Sequence, residues 1–399
     1  MTMSLETVQV HGFLANGIPV GIKEEGRKDL SLLFSLRPAK AVGMFTTNSF
    51  QAAPVIIDRK RIEAGFAQAI LTNSGNANAA TGEEGLKDAR LVSKSVSDSL
   101  RIGDELVLLA STGIIGQRLP VHKIITGMPG LTAGLRADGL LSAEEAIMTT
   151  DKFPKICCRK TMIGGKEVTL CGLAKGAGMI SPHMATMLAF FITDAEFEAS
   201  ALQSIFPQTV DKTFNAISVD GCMSTNDTIL MLANGAAGND SIRKGTKGYS
   251  AFREILFQTM FDLSQDIVRD GEGATKVIDI HIAGAVSKAE ARKAAYAVAN
   301  SNLVKTAFFG GDPNWGRIIS ALGSAGISLE VTSLTVSFAD IAVFAAGSGT
   351  TANSRQLAGI MSQPCIKLTV NLAAGKAGFR LRTSDLGYEY VKINAHYHT

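Results

Sequence analysis

The sequence predicts an α/β protein, built as an α+β layered sandwich. Strand-like and helix-like segments alternate along the whole chain, the pattern of sheets packed against helices. Glycine is abundant (40) and proline sparse (10) in 399 residues, so turns can be tight while few segments are broken. Hydrophobic residues make up 46%, enough for one large core or several smaller ones. No fixed-period repeat or low-complexity linker marks a domain boundary.

The elements follow in order. "QAILTNSGNANAATG" (68–82) reads as a short buried strand ending in a Gly/Asn turn. "EEGLKDARLVSKSVSDSL" has helical apolar spacing at Leu86, Leu91, Val92, Val96 and Leu100. "ELVLLASTGIIGQRL" is an apolar strand ending at Ser111-Thr112-Gly113, and "TMLAFFI" (186–192) is another. "YSAFREILFQTMFDLSQDIVRDGEG" is a long amphipathic helix stopped by Gly271 and Gly273. "KVIDIHIAGA" alternates like a half-buried strand, and "SKAEARKAAYAVANSNLVKTA" reads as one helix with a serine cap. The tail "IKLTVNLAAGKAGFRLRTSDLGYEYVKINA" reads as strands and turns.

Composition narrows the function classes. Net charge is +3, with Lys and Arg scattered and no basic block, so nucleic acid is not an expected partner. The N-terminus carries Glu6 and lacks the apolar stretch of a secretory signal. No apolar run approaches bilayer length, so no membrane partner is expected and a cytoplasmic location is. Five cysteines, at 157, 158, 171, 222 and 365, show no CxxC spacing and predict reduced thiols. Cys157, Cys158, Cys171 and His183 match no zinc-finger spacing, and no metal site is expected.

Several stretches could carry chemistry. A threonine hydroxyl is a weak nucleophile unless a base stands beside it. If the threonine begins its own chain, its free α-amine is that base. Thr186 suits this: the small Ala185 precedes it, a Gly-rich loop leads up to it, and a rigid apolar strand follows. The same pattern also fits a β-branched residue that merely opens a strand, and spacing alone favours that plainer reading. "STGIIG" could offer an oxyanion hole from the Thr112 hydroxyl and a bare N–H at Gly113, or be an ordinary turn. "TNSGNANAATG" and "FGGDPNWGR" could cradle an anion through backbone N–H groups, though Trp315 also reads as a packed anchor. Glu272, between two glycines, could hold an ammonium group or simply be solvated. The six histidines are dispersed and form no triad.

Taken together the chain resembles the bifunctional ornithine acetyltransferases of arginine biosynthesis, also called glutamate N-acetyltransferases. The resemblance rests on "AVGMFTTNSFQAAPV", "LTNSGNANAATG", "ASTGIIGQRLP", "AIMTTDKFPK", "KGAGMISPHMATMLAFFITDA", "SVDGCMSTNDT", "GEGATK", "LVKTAFFGGDPNWGR" and "YVKINAHYHT", in that order over nearly the whole chain. It implies a layered fold similar to N-terminal-nucleophile hydrolases but distinct in topology. It implies self-cleavage between Ala185 and Thr186 into fragments 1–185 and 186–399, which form one structural body and assemble as an α2β2 heterotetramer. Thr186 would be the nucleophile, and Thr112 with Gly113 the oxyanion hole. Substrate binding would fall on Thr149 or Thr150, Lys175, Thr186, Glu272, Asn394 and Thr399. The implied reaction passes an acetyl group from N-acetylornithine to glutamate through acetyl-Thr186, with no bound cofactor, and leaves open whether acetyl-CoA also serves as a donor. Cys222, Met223 and His396 depart from the family pattern. Two rivals set against this are an N-terminal-threonine aminopeptidase or amidase, and an uncleaved ligand-binding protein without activity.

Overall fold

A computed structural model describes residues 9–24, 26–181 and 187–396. The strands are β1 (Phe13–Ile18), β2 (Leu30–Phe45), β3 (Phe66–Asn76), β4 (Val107–Ile114), β5 (Ile156–Ile163), β6 (Lys166–Lys175), β7 (Leu188–Thr193), β8 (Ile217–Ser218) and β9 (Thr228–Ala233). They continue with β10 (Val277–Ala285), β11 (Thr335–Phe338), β12 (Ile341–Ala345), β13 (Ser348–Gly349), β14 (Cys365–Asn371) and β15 (Ala377–Ser384). Among the described residues these form two mixed sheets. The first runs β4-β3-β2-β9-β7-β6-β5, with β1 antiparallel to β2 off that path. The second runs β13-β12-β11-β14-β10-β15-β8. The α/β layered expectation holds.

The run after Met187 is apolar throughout because β7 is buried on both faces. It pairs antiparallel with β6 and parallel with β9. The helices that pack on this sheet are α1 (Ala53–Arg61), α2 (Gly82–Leu100), α3 (Val121–Ala133), α4 (Leu140–Ile147), α5 (Ala199–Val210) and α6 (Lys247–Arg269), and Ala189 and Phe191 point to one side, into a core shared with α5 and α6. Leu188, Phe190 and Ile192 point to the other side, into a core with Leu140, Ala143 and Ile147 of α4. Phe190 and Phe191 are buried, a gain of roughly 1.5–3 kcal/mol each. The strand is thus a stiff support for whatever precedes it.

α6 buries Phe252, Leu256, Met260, Leu263 and Ile267, a stripe at helical spacing, and Thr246 caps it by accepting from the Tyr249 N–H at 3.2 Å. The second sheet packs one face against α7 (Lys288–Ala299), α8 (Asn302–Phe309), α9 (Trp315–Gly323) and α10 (Ser354–Met361). No helix among the described residues is long and apolar enough to cross a membrane.

The structure corrects four local expectations. The segment 287–307 is two helices, not one: the chain breaks at Asn300–Ser301, and Ser301 caps the second helix as Ser287 caps the first. The tail does not end in strands and turns alone but in a helix, α11 (Tyr388–His396). Leu91 is off the buried face of α2, 55% exposed, and small residues such as Ala89, Ser93 and Ser97 pack inward instead. Five reduced thiols are not found: Cys158 and Cys171 are directly opposed across β5 and β6, Cα atoms 4.1 Å apart, and form a disulfide. Cys157, Cys222 and Cys365 are free.

Candidate active site

Seven residues expected at the site converge on one cavity of about 150 Å³, several times the roughly 30 Å³ share of a water molecule. The end of β4 supplies Thr112 and Gly113. The turn after α4 supplies Thr149 and Thr150, and the last residue of β6 is Lys175. Glu272 comes from the turn after α6, and Asn394 from α11. Ala185, Thr186 and Thr399 lie outside the described residues.

Local chemistry explains why the chain turns here as it does. β4 runs parallel to β3, and its end meets Gly75 across a register irregularity. Gly113 has φ +135°, and a Cβ there would sit 2.3 Å from the Gly75 carbonyl carbon. No side chain fits, so glycine is required by both conformation and space. The Asn226 amide ties this corner to the next segment, donating to Ala77 O at 2.6 Å and Ser111 O at 2.8 Å.

Charge is concentrated behind the cavity. Lys175 is buried and donates from Nζ to Thr149 Oγ1 at 2.8 Å and Thr112 Oγ1 at 3.3 Å. Burial pushes its ammonium below the ordinary lysine range, against the opposing charge of Asp151. Burial alone would raise the Asp151 carboxyl, yet the charges of Lys175 and Lys155 hold it well below the usual carboxylate range. Asp151 accepts from the Thr149 N–H at 2.9 Å, the Gly176 N–H at 2.7 Å and Lys155 Nζ at 2.8 Å. Lys155 also reaches Asp270 at 2.5 Å, with all three side chains sealed from solvent. Lys155→Met would strand two buried carboxylates, so a loss of about 3–5 kcal/mol is expected, read as a lower midpoint in urea unfolding. A midpoint near wild type would show that the pair contributes little.

The loop that follows β6 is held from three other segments, by two carboxylates and one backbone N–H. Asp151 holds Gly176. Asp220 accepts from the Met179 N–H at 2.6 Å and the Ile180 N–H at 2.9 Å. The Glu272 N–H donates to Ala177 O at 2.9 Å, and a Cβ at Gly178 would stand 2.4 Å from the Glu272 carboxyl. Met179 takes φ +58°, a left-handed conformation that a non-glycine residue adopts at a cost and that these bonds sustain. At the start of the segment from residue 187, the Met187 N–H donates to Asp227 Oδ1 at 3.0 Å. Asp227 Oδ2 is buried and has no hydrogen-bond partner among the described residues, and burial raises this carboxyl well above its usual range.

α11 closes one side of the cavity. Asn394 Nδ2 donates to Glu272 Oε2 at 2.8 Å, and Tyr390 OH donates to Asp220 Oδ2 at 3.3 Å. Both Thr149 and Thr150 line the cavity, and Thr149 is the one bonded to Lys175. Of the two Gly-punctuated loops, the first contributes Ala77 to the lining. Its asparagines are occupied structurally, Asn78 donating to Gly85 O at 3.0 Å. The second is not part of the cavity lining: Asn314 caps α9 and Trp315 packs against Phe344. Asp151, Asp220, Asp227, Asn226 and Tyr390 were not singled out from sequence. The nearest signal was "SVDGCMSTNDT", whose acids have no distinguishing spacing. Cys222 lines the cavity too, so one departure from the family pattern sits at the site.

The chain is similar to known proteins along nearly its full length. The profile of the ArgJ family matches residues 14–399. The arginine biosynthesis bifunctional protein ArgJ of Geobacter sulfurreducens is 45% identical over 394 residues, 98% of this chain and all of that one. Its mitochondrial counterpart in Schizosaccharomyces japonicus is 41% identical over 97% of this chain and 92% of its own length. A solved chain of the arginine biosynthesis bifunctional protein argJ from Bacillus halodurans is 35% identical, with a TM-score of 0.50, covering 52% of this chain and 98% of its own. A cavity assembled from the residues that carry the resemblance, and matches of this extent, place the chain in the ArgJ family.

Proposed function

We propose that the chain moves the acetyl group of N-acetylornithine to glutamate, giving ornithine and N-acetylglutamate in arginine biosynthesis. One observation carries this reading: a single small cavity is lined by the buried Lys175, the buried Glu272, Thr112 and Gly113, gathered from distant stretches of the chain. N-acetylornithine and N-acetylglutamate share an α-carboxylate and differ at the far end, one cationic and one anionic. Lys175 is assigned to the common carboxylate as a point charge. Glu272, oriented by Asn394, is assigned to the ammonium of ornithine, and Thr399 to the closing edge.

The proposed cycle is ping-pong. The α-amine of Thr186 takes the proton of its own hydroxyl, and Oγ attacks the acetyl carbonyl. The Thr112 hydroxyl and Gly113 N–H stabilise the oxyanion. Its collapse expels ornithine, whose amine takes the proton from the Thr186 α-ammonium, and leaves acetyl-Thr186. The glutamate amine then attacks that ester and gives up a proton, the acyl–Oγ bond breaks, and Oγ is protonated as N-acetylglutamate leaves. The Met187–Asp227 bond supports this assignment, since it fixes the residue that follows the nucleophile. Division into 1–185 and 186–399 is supported by the Bacillus halodurans chain, which is nearly all covered while matching about half of this one. Assembly as α2β2 and a cytoplasmic location belong to the same reading. So does acetyl-CoA as a second acetyl donor, supported by the word bifunctional in the relatives' names.

The test is incubation with N-acetylornithine and glutamate, with and without acetyl-CoA, following both acetylated products by mass. Acetyl transfer to glutamate is expected; release of free acetate alone would replace this reading with hydrolysis. Glu272→Gln is expected to reduce kcat/KM for N-acetylornithine by about 10–100-fold, the scale of a lost charged hydrogen bond. Its effect on glutamate should be smaller. Equal losses on both substrates would overturn the ammonium assignment.

A further inference from the structure

Lys175 holds a position that a simple carboxylate grip does not explain. Its side chain is buried at the end of β6, and its hydrogen bonds among the described residues go to two hydroxyls, Thr149 Oγ1 at 2.8 Å and Thr112 Oγ1 at 3.3 Å. An ammonium only donates. Each threonine oxygen is therefore an acceptor here and keeps its own proton for another partner. The Thr112 hydroxyl makes no hydrogen bond of its own to a described residue, and Thr112 lines the cavity. Its O–H is left for a ligand atom. A hydroxyl that accepts from a cation is polarised, so it is a stronger donor than one that does not.

We propose that Lys175 is a positioning residue for the oxyanion hole: its ammonium fixes the Thr112 hydroxyl as a donor into the cavity and strengthens it. This rests on the acyl-transfer reading above. It adds to the carboxylate grip, for which the third ammonium proton remains. The backbone around the lysine is fixed from behind. Asp151 accepts from the N–H of Gly176, next to Lys175, and from the N–H of Thr149, the other hydroxyl on the ammonium. One carboxylate thus sets the spacing between the lysine and its second anchor, and Lys155 in turn holds that carboxylate at 2.8 Å. Thr149 is then the tether that keeps Nζ near Thr112 rather than a substrate contact alone.

The two roles separate kinetically. A grip on the ground-state carboxylate affects KM, whereas support of an oxyanion donor affects the rate at saturation. The experiment is a double-mutant cycle on the purified enzyme. Formation of acetyl-Thr186 from saturating N-acetylornithine is followed in a single turnover by intact mass, normalised to cleaved protein. Thr112→Val is expected to slow the saturated step by about 10²–10³-fold, and Lys175→Met by about 10–100-fold. The double variant is expected to be no slower than Thr112→Val, because the lysine acts through that hydroxyl. Additive losses, or a Lys175→Met variant changed only in KM, would overturn the inference while leaving the acetyl-transfer reading intact. A normal saturated rate in Thr112→Val would remove the oxyanion assignment itself and this inference with it. Should Lys175→Met remain a single chain, Thr149→Val takes its place in the cycle. The same non-additivity is expected of it, and additive losses would again overturn the inference.

Discussion

Thr186→Ala is expected to remain an unbroken chain of 399 residues with acetyl transfer lowered on the order of 10⁶-fold, the scale seen when a covalent nucleophile is removed. Both losses have one cause. The hydroxyl that would attack the acetyl group is also the group that would attack the preceding carbonyl of Ala185 during maturation. The described residues on either side are fixed, Met179 and Ile180 by Asp220 and Met187 by Asp227 at the start of β7. Intact-mass spectrometry and an acetyl-transfer assay read the two effects separately. A single full-length wild-type species with full activity would sink the self-cleavage proposal. A Thr186→Ala protein that still transfers acetyl groups would move the nucleophile elsewhere.

The second large effect is expected in Thr112→Val, which keeps shape and removes the hydroxyl. Loss of one oxyanion donor costs about 10²–10³-fold in kcat, or about 2.7–4 kcal/mol of transition-state stabilisation. KM for N-acetylornithine should stay within a few-fold, because the donor is aimed at charge that develops only during attack. The neighbouring Gly113 has no such tolerant substitution, since any Cβ would collide with the end of β3. Steady-state kcat and KM on the matured protein decide the matter. Turnover near wild type would make Ser111 to Gly116 an ordinary strand end.

Much of this site could be read before any fold was known, and the reasons differ by residue. Thr112 and Gly113 showed only as a strand end that an ordinary turn explains better; the resemblance gave them a role, and the structure places that end at the cavity. Glu272 between its glycines fitted a solvated turn as well as a ligand, and the resemblance pointed to the ligand; one of those glycines, Gly273, lies against the backbone of Tyr390. Thr149, Thr150 and Asn394 carry no local signal, and only the resemblance pointed to them. Asp151, Asp220 and Asp227 were invisible for a different reason. Each acts mainly on backbone N–H groups or on charges brought near by the sheet, with partners 25, 40, 41 and even 170 residues away. The missed helix α11 has no buried residue on which an apolar stripe could be seen. The break between α7 and α8 was missed because Asn300 and Ser301 suit a helix cap as well as a helix surface. The disulfide was missed because thirteen residues of separation say nothing until two strands are in register.

The pairing of β6 with β7 has a consequence for the order of the unfolding reaction. Leu170 to Lys175 lie opposite Thr193 to Leu188, and Lys40 to Phe45 of β2 lie opposite Ala233 to Thr228 of β9. A cut at Ala185–Thr186 therefore divides the polypeptide within the first sheet, which neither piece keeps complete, while the second sheet lies wholly in 186–399. Unfolding of the matured protein would yield two dissociated chains, and refolding would become a bimolecular event. Its thermal midpoint should rise with protein concentration, as for any equilibrium that releases partners. The uncut Thr186→Ala chain should lack the part of that dependence that comes from separating the two pieces. The peptide bond given up in maturation would thus change the molecularity of folding while the sheet it once joined stays paired.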